Sequence, residues 1–170
     1  IVELCLQKGG LGFQVFNASN VLDATLLVEN TRHVLALALS LSKKFSVSLR
    51  SVDFGGGFGV PYADGERPLD LGFLGKGLAA LAREVSREPR LAGARLVFEP
   101  GRFLVAEAGT YVTRVLGTKK SLGVEYVLVD GGIHHLARPA LVGEQQRIVM
   151  VGAAGERDGR ATADVVGPLC

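Results

Sequence analysis

Asp53-Phe54-Gly55-Gly56-Gly57-Phe58-Gly59-Val60-Pro61-Tyr62 is the stretch on which the fold turns, a glycine loop entered directly from the run Leu49 to Phe54. The run reads as a buried strand. Glycines lack a Cβ, so backbone N–H groups there can approach an anion, and a helix end that follows such a loop adds positive dipole. A tight turn needing positive φ is the plainer alternative. Two nucleotide-binding patterns are excluded by counting. A dinucleotide fingerprint requires G-x-G-x-x-G, but from Gly57 and Gly59 the last position falls on Tyr62. A P-loop requires a Lys-Ser/Thr pair after its glycines, and none follows. A phosphate site of a non-nucleotide type remains.

The flanks alternate between strand and helix periods. Upstream, Gly10 to Phe16 is a short apolar run, with Ser19 and Asn20 at its end. Leu22 to Lys44 has a helical period, with Leu22, Leu26, Leu27, Val34, Leu37, Ala38 and Leu41 on one broad face. Asp23 near its start and Lys43 and Lys44 at its end suit the helix dipole. Downstream, Leu74, Leu78, Leu81 and Val85 form a stripe on a helix from about Leu69 to Arg87, and Ala94 to Phe98 is another strand. This alternation predicts an α/β segment of parallel strands with crossover helices. After about Gly109 the pattern changes to short β-rich runs at Thr110–Val115, Glu125–Val129, Arg147–Val151 and Ala161–Val166, separated by Gly-containing turns. A mostly antiparallel β segment is expected there.

Bulk composition removes several function classes. At 170 residues and 48% hydrophobic, the chain has enough apolar material for a core. Lys and Arg number 19 against 17 acidic residues, the basic residues are scattered, and aromatics are 6%, which gives nucleic-acid binding little support. Apolar stretches are broken by charge well short of the ~20 residues that span a bilayer, so no membrane role is expected. Two cysteines, Cys5 and Cys170, make no disulfide framework and suit a reducing compartment, with the cytoplasm as the default. Both ends read as cut rather than finished, with Ile1 uncapped in apolar sequence and Cys170 following Gly167-Pro168-Leu169 directly.

Three further motifs carry chemistry. Glu99-Pro100-Gly101-Arg102 follows a predicted strand at its C-terminal end, where barrel enzymes build active sites. A carboxylate there can hold a proton on a heterocyclic nitrogen, and a guanidinium can pair with phosphate or carboxylate. Standing alone, the tetrapeptide would read as a solvated loop with a surface ion pair. Val129-Asp130-Gly131-Gly132, continuing to Arg138-Pro139-Ala140-Leu141, is weak by itself. So is the terminal Gly167-Pro168-Leu169-Cys170, because an isolated cysteine is usually a small core residue.

In this order, the four motifs resemble the pyridoxal-phosphate-dependent decarboxylases of the alanine-racemase-type barrel fold, the group of diaminopimelate, ornithine and biosynthetic arginine decarboxylases. The resemblance runs from about Gly12 to Cys170. It implies that residues 1–108 are the later part of a (β/α)8 TIM-like barrel that binds pyridoxal 5'-phosphate. Residues 109–170 would then start a C-terminal β-sandwich or β-barrel domain. By the same match Gly55, Gly56 and Gly57 cradle the phosphate. Glu99 faces the ring nitrogen within the Glu99-Pro100-Gly101-Arg102 box, and Arg102 and Arg138 hold anionic groups. Cys170 would return a proton to Cα across a homodimer interface. The implied partner is a small amino-acid substrate. A barrel-fold racemase and a non-catalytic homologue that binds an active enzyme are the competing readings.

Departures from the family pattern are specific. A segment of the form H-x-H-x-G-S-Q is matched here by Gln14-Val15-Phe16-Asn17-Ala18-Ser19-Asn20. Ser19 keeps the phosphate-binding hydroxyl. Phe16 replaces a histidine stacked on the cofactor ring; a phenyl group still stacks but carries no charge, and core packing is the simpler alternative. Val142 stands where diaminopimelate decarboxylases often have a tyrosine, which leaves room for another amino acid or a carrier-bound substrate. His134 and His135 read as loop residues near the site, and no set of spaced ligands predicts a metal. None of Lys8, Lys43, Lys44, Lys76, Lys119 and Lys120 has the setting of a buried Schiff-base former, so this segment by itself is expected to be inactive. A barrel without its early strands cannot close and leaves unpaired edges and an exposed apolar interior, so the segment alone is also expected to be unstable or prone to aggregate.

Overall fold

A computed structural model describes residues 11–143, 146–152 and 162–169. The chain divides into two units, one comprising residues up to Pro61 together with Glu66–Gly109, the other Tyr62–Gly65 with the residues from Thr110 on. The sequence expectation had placed Tyr62–Gly65 with the α/β segment.

The first unit is built from β1 (Leu11–Gln14), α1 (Ala24–Lys44), β2 (Leu49–Asp53), α2 (Leu71–Ser86), β3 (Arg95–Val97) and the short helix α3 (Gly101–Val105). Its three strands are parallel, in the order β1-β2-β3, with Gln14 opposite Asp53 and Asp53 opposite Val97. Parallel neighbours require a crossover, which α1 and α2 supply. Asp23 caps α1 by accepting from the Thr25 N–H at 2.8 Å, and Asp70 caps α2 by accepting from Phe73 at 2.9 Å. The main core joins Val34, Leu35 and Ala38 of α1, Leu49, Val52 and Phe54 of the second strand region, and Leu81 and Val85 of α2. A smaller cluster of Ala24, Leu27, Leu69 and Leu74 lies at the N-terminal ends of both helices.

The buried face of α1 differs from the one read from hydrophobicity. It runs Ala24, Leu27, Thr31, Val34, Leu35, Ala38, Ser42, leaving Leu26 and Leu37 about half exposed. Two polar residues occupy the stripe because each satisfies itself locally: the Thr31 hydroxyl donates to the Leu27 carbonyl at 2.8 Å, and the Ser42 hydroxyl donates to the Val47 carbonyl. On α2 the expected stripe holds, with Leu74, Leu81 and Val85 buried.

The second unit contains β4 (Val115–Ser121), β5 (Val124–Val129), α4 (Arg138–Val142) and β6 (Asp164–Val166). β4 and β5 form an antiparallel hairpin turning at Leu122 and Gly123, both at positive φ. β6 pairs with β5 in parallel, so the sheet is mixed rather than mostly antiparallel. Of the predicted run Thr110–Val115 only Val115 is in a strand, and Arg147–Val151 forms none. Their β-branched residues, such as Val112 and Val151, are exposed and lack a pairing partner among the described residues, and propensity without a partner does not make a strand. Among the described residues no helix is long and apolar enough to cross a membrane.

Candidate active site

Three loops leave the C-terminal ends of β1, β2 and β3, and they converge. Phe16–Asn20 follows β1, the glycine loop follows β2, and Glu99–Arg102 follows β3. Ladder-like bonds carry the strands forward: the Val15 N–H donates to Asp53 at 3.0 Å, and the Phe54 N–H donates to Val97 at 3.0 Å. The Glu99 N–H then donates to the Gly55 carbonyl at 2.8 Å. Here the need for glycine is explicit. A Cβ on Gly56 would stand 2.6 Å from the Glu99 carbonyl oxygen, so only glycine lets the two loops meet. Gly55 and Gly57 take φ of +68° and +93°, which disfavours any side chain. The first loop is tied in by a parallel bridge between Val21 and Phe58, and the Asn20 side chain accepts from the Val60 N–H at 3.0 Å.

These loops border one cleft of about 200 Å³. Phe16, Ser19 and Asn20 form one side, Gly56, Gly57 and Phe58 the floor, and Glu99, Pro100, Gly101 and Arg102 the other side. Gly55 stands immediately before the floor, held by its own N–H on the Asp53 carboxylate at 2.9 Å. Glu99 and Arg102 are the charged residues of this lining. The half-buried Arg102 guanidinium donates to the Ser19 hydroxyl, uniting residues far apart in sequence. Among the described residues the N–H groups of Gly56 and Gly57 donate to no protein acceptor. The loop therefore offers donors to the cleft, with no helix immediately after it, since the next helix begins at Leu71. A neighbouring depression of about 260 Å³, which shares Gly56 and Gly57, is larger but has no charged side chain in its lining.

Phe16 is 67% exposed among the described residues, with its ring at the cleft's rim. Arg138 lies in the second unit, where it opens α4. Cys170 and Lys8 lie outside the described residues. Lys43, Lys44, Lys76, Lys119 and Lys120 are all exposed. Asn20 and Phe58 were missed as site residues from sequence; the signals available were a polar residue directly after Ser19 and an aromatic between two loop glycines. Among the described residues no group of three or more His, Cys, Asp or Glu side chains is placed to hold a metal ion.

In the second unit the Asp-Gly-Gly motif packs against the terminal Gly-Pro motif. A Cβ on Gly132 would stand 3.1 Å from the Gly167 Cα. Asp130 accepts from the Thr113 hydroxyl at 2.6 Å and from the Arg114 N–H at 2.8 Å, while the Thr113 hydroxyl itself accepts from the Gly131 N–H at 3.0 Å. The Thr113 bond first, and then the Arg114 N–H, hold the Asp130 carboxyl below the ordinary aspartate range. A depressed folded value means the stabilisation is present above the unfolded pKa of about 4 and is lost as pH falls through the folded value. Thr113→Val is therefore expected to move the Asp130 titration upward in carboxyl-carbon NMR, and to weaken the dependence of unfolding on pH below about 4. An unchanged Asp130 titration in that variant would count against this bond as the cause.

The cleft at the C-terminal ends of three parallel strands, the rim where open α/β sheets place their ligands, brings together backbone N–H groups, a hydroxyl, a guanidinium and a carboxylate. A family model described as "Pyridoxal-dependent decarboxylase, C-terminal sheet domain" matches residues 15–170, and the chain belongs to this family. It is similar to the L-glutamyl-[BtrI acyl-carrier protein] decarboxylase of Niallia circulans, with 30% identity over 94% of this chain and 39% of that protein. It is 36% identical to a diaminopimelate decarboxylase of Actinosynnema pretiosum subsp. auranticum, over 94% of this chain and 35% of that one. The crystal structure of Helicobacter pylori diaminopimelate decarboxylase complexed with L-lysine superposes with a TM-score of 0.72 at 29% identity, over 99% of this chain and 41% of that one. The chain thus spans well under half the length of the relatives it matches.

Proposed function

We propose that this chain forms the phosphate- and ring-binding portion of a pyridoxal-phosphate-dependent enzyme that decarboxylates an α-amino acid. The observation that carries the proposal is that Ser19, the glycine loop, Glu99 and Arg102 border one cleft at the ends of three parallel strands. The donor set fits the cofactor: a hydroxyl, a guanidinium and unpartnered N–H groups for phosphate, and a carboxylate for the pyridine nitrogen.

When bound, pyridoxal phosphate supplies an electron sink for the pair left on Cα as carbon dioxide departs. Glu99 keeps the proton on the ring nitrogen by Coulomb attraction, which makes that sink effective. Ser19, Arg102, Gly56 and Gly57 hold the phosphate, and Phe16 offers a face to the ring. Arg138 is the proposed second anion-holding group, and Cys170 the proposed proton donor to Cα. No described lysine borders the cleft, so we place the lysine that carries the cofactor in the part of the relatives' length that this chain does not span.

In this proposal the parallel sheet is the later part of a (β/α)8 TIM-like barrel and the second unit begins a β-sandwich or β-barrel domain, supported by the sequential strand order and the crossover helices. The assembly is a homodimer with the site at its interface, in the cytoplasm. The substrate is a free amino acid or one carried on a protein, the latter supported by the Niallia circulans relative.

The full-length protein tests this. Visible absorbance of bound cofactor, bleached by borohydride, and carbon dioxide release from an amino acid or its carrier-bound form are expected. Bleachable absorbance with racemisation and no gas would indicate a racemase, and absence of the absorbance a non-catalytic partner; either overturns the proposal. The 170-residue chain alone is expected to release no carbon dioxide.

A further inference from the structure

Phe58 stands in the glycine loop between Gly57 and Gly59, and its ring meets two other phenylalanines. The Phe98 ring lies 5.7 Å away edge-on at 86°, and the Phe103 ring 6.0 Å away at 54°. Their places in the chain matter. Phe98 immediately precedes Glu99, and Phe103 immediately follows Arg102. Phe98 in turn stacks at 4.7 Å on Phe54, which is buried in the main core, while Phe58 and Phe103 both pack against the smaller cluster. The backbone around Phe58 holds the third participant: the Gly59 N–H donates to Val21 at 2.9 Å and the Val21 N–H to Gly57 at 2.7 Å, fixing the turn that carries Ser19.

We infer that Phe58 is a positioning residue, whose ring sets Glu99 and Arg102 at a fixed separation while its backbone sets Ser19 against them. This inference rests on the proposed function of the cleft. Edge-on and tilted aromatic contacts prefer particular geometries, so a ring at this junction constrains both neighbours more tightly than an aliphatic side chain of similar bulk. Glu99 and Arg102 themselves lie on a loop and at the start of a five-residue helix, neither of which is rigid alone.

The test uses the full-length protein, six single variants and one double variant. Phe58→Leu is expected to lower kcat about tenfold. In the apoprotein it should also narrow about tenfold the preference for pyridoxal phosphate over pyridoxal, which reads the Ser19–Arg102 side without turnover. Phe58→Tyr, which keeps the ring, should restore both to within about twofold. Phe103→Leu should narrow the phosphate preference with a smaller effect on kcat, and it serves as the second probe if Phe58→Leu folds poorly. Leu81→Val, a core change on α2 whose side chain lines no part of the cleft, should lower the melting temperature and leave both readouts unchanged. On a Glu99→Gln background Phe58→Leu should reduce kcat less than about twofold further, as expected when two residues act as a unit. An equal loss from Phe58→Leu in both backgrounds, or a change in melting alone, would overturn the positioning role. If Glu99→Gln and Arg102→Ala alter neither turnover nor phosphate preference, the cleft itself is wrongly assigned and the role of Phe58 falls with it.

Discussion

Glu99→Gln in the full-length protein is expected to lower turnover by about 10²- to 10³-fold, with pyridoxal phosphate affinity changed by only a few fold. The amide keeps the size of the side chain and removes its charge. An adjacent carboxylate raises a cation's pKa by about 1–3 units, and each unit is tenfold in the protonated fraction once the group titrates near working pH. Phosphate contacts from Ser19, Arg102 and the glycine loop remain, which preserves affinity. Arg102→Ala should show the reverse pattern, losing more affinity than turnover. Steady-state kinetics beside a cofactor titration separates the two. Unchanged kcat in Glu99→Gln would remove Glu99 from the ring nitrogen.

Gly56→Ala is the second large effect. The added methyl would press on a backbone carbonyl at 2.6 Å, and a carbonyl cannot rotate out of the way as a side-chain end can. Either the glycine loop or the Glu99 segment must shift, straining the bond from the Glu99 N–H to Gly55. Overpacking of this kind costs about 1–3 kcal/mol, with about 1 kcal/mol more if the bond breaks. Because the displaced segment lines the cleft, cofactor affinity should fall with stability. Gly75→Ala is the internal comparison: it lies within α2, a Cβ there would meet nothing within 4 Å outside its own helix turn among the described residues, and alanine there should stabilise by about 0.5–1 kcal/mol. Denaturant midpoints measure both. Gly56→Ala melting with the parent would mean that the two loops do not meet as described.

Much of the α/β unit was legible because several local signals agreed. Strand-length runs, Asp23 at the start of α1, and the stripe on α2 all point to the same elements. The face of α1 was misread because hydrophobicity ignores hydroxyls that bond to their own helix or the turn after it, as Thr31 and Ser42 do. α3 and α4 were missed because five residues show no period, and α3 opens with glycine behind proline. In the second unit β-propensity marked residues that find no strand partner among the described residues, such as Val112 and Val149. The site motifs were recognised as chemistry, but their meeting was not readable from spacing. Nothing in the order of residues says that a glycine after β2 must clear a carbonyl after β3, or that Phe58 joins the flanks of Glu99 and Arg102.

The three cleft loops occupy one rim of the parallel sheet, and the opposite rim carries different connections. There the chain enters β2 through Ser46 and Val47, and β3 through the turn from Glu88 to Ala94, contributing no side chain to the cleft. A fluorophore, a purification handle or a few inserted residues at exposed Ala92 or Gly93 should therefore leave the cleft untouched.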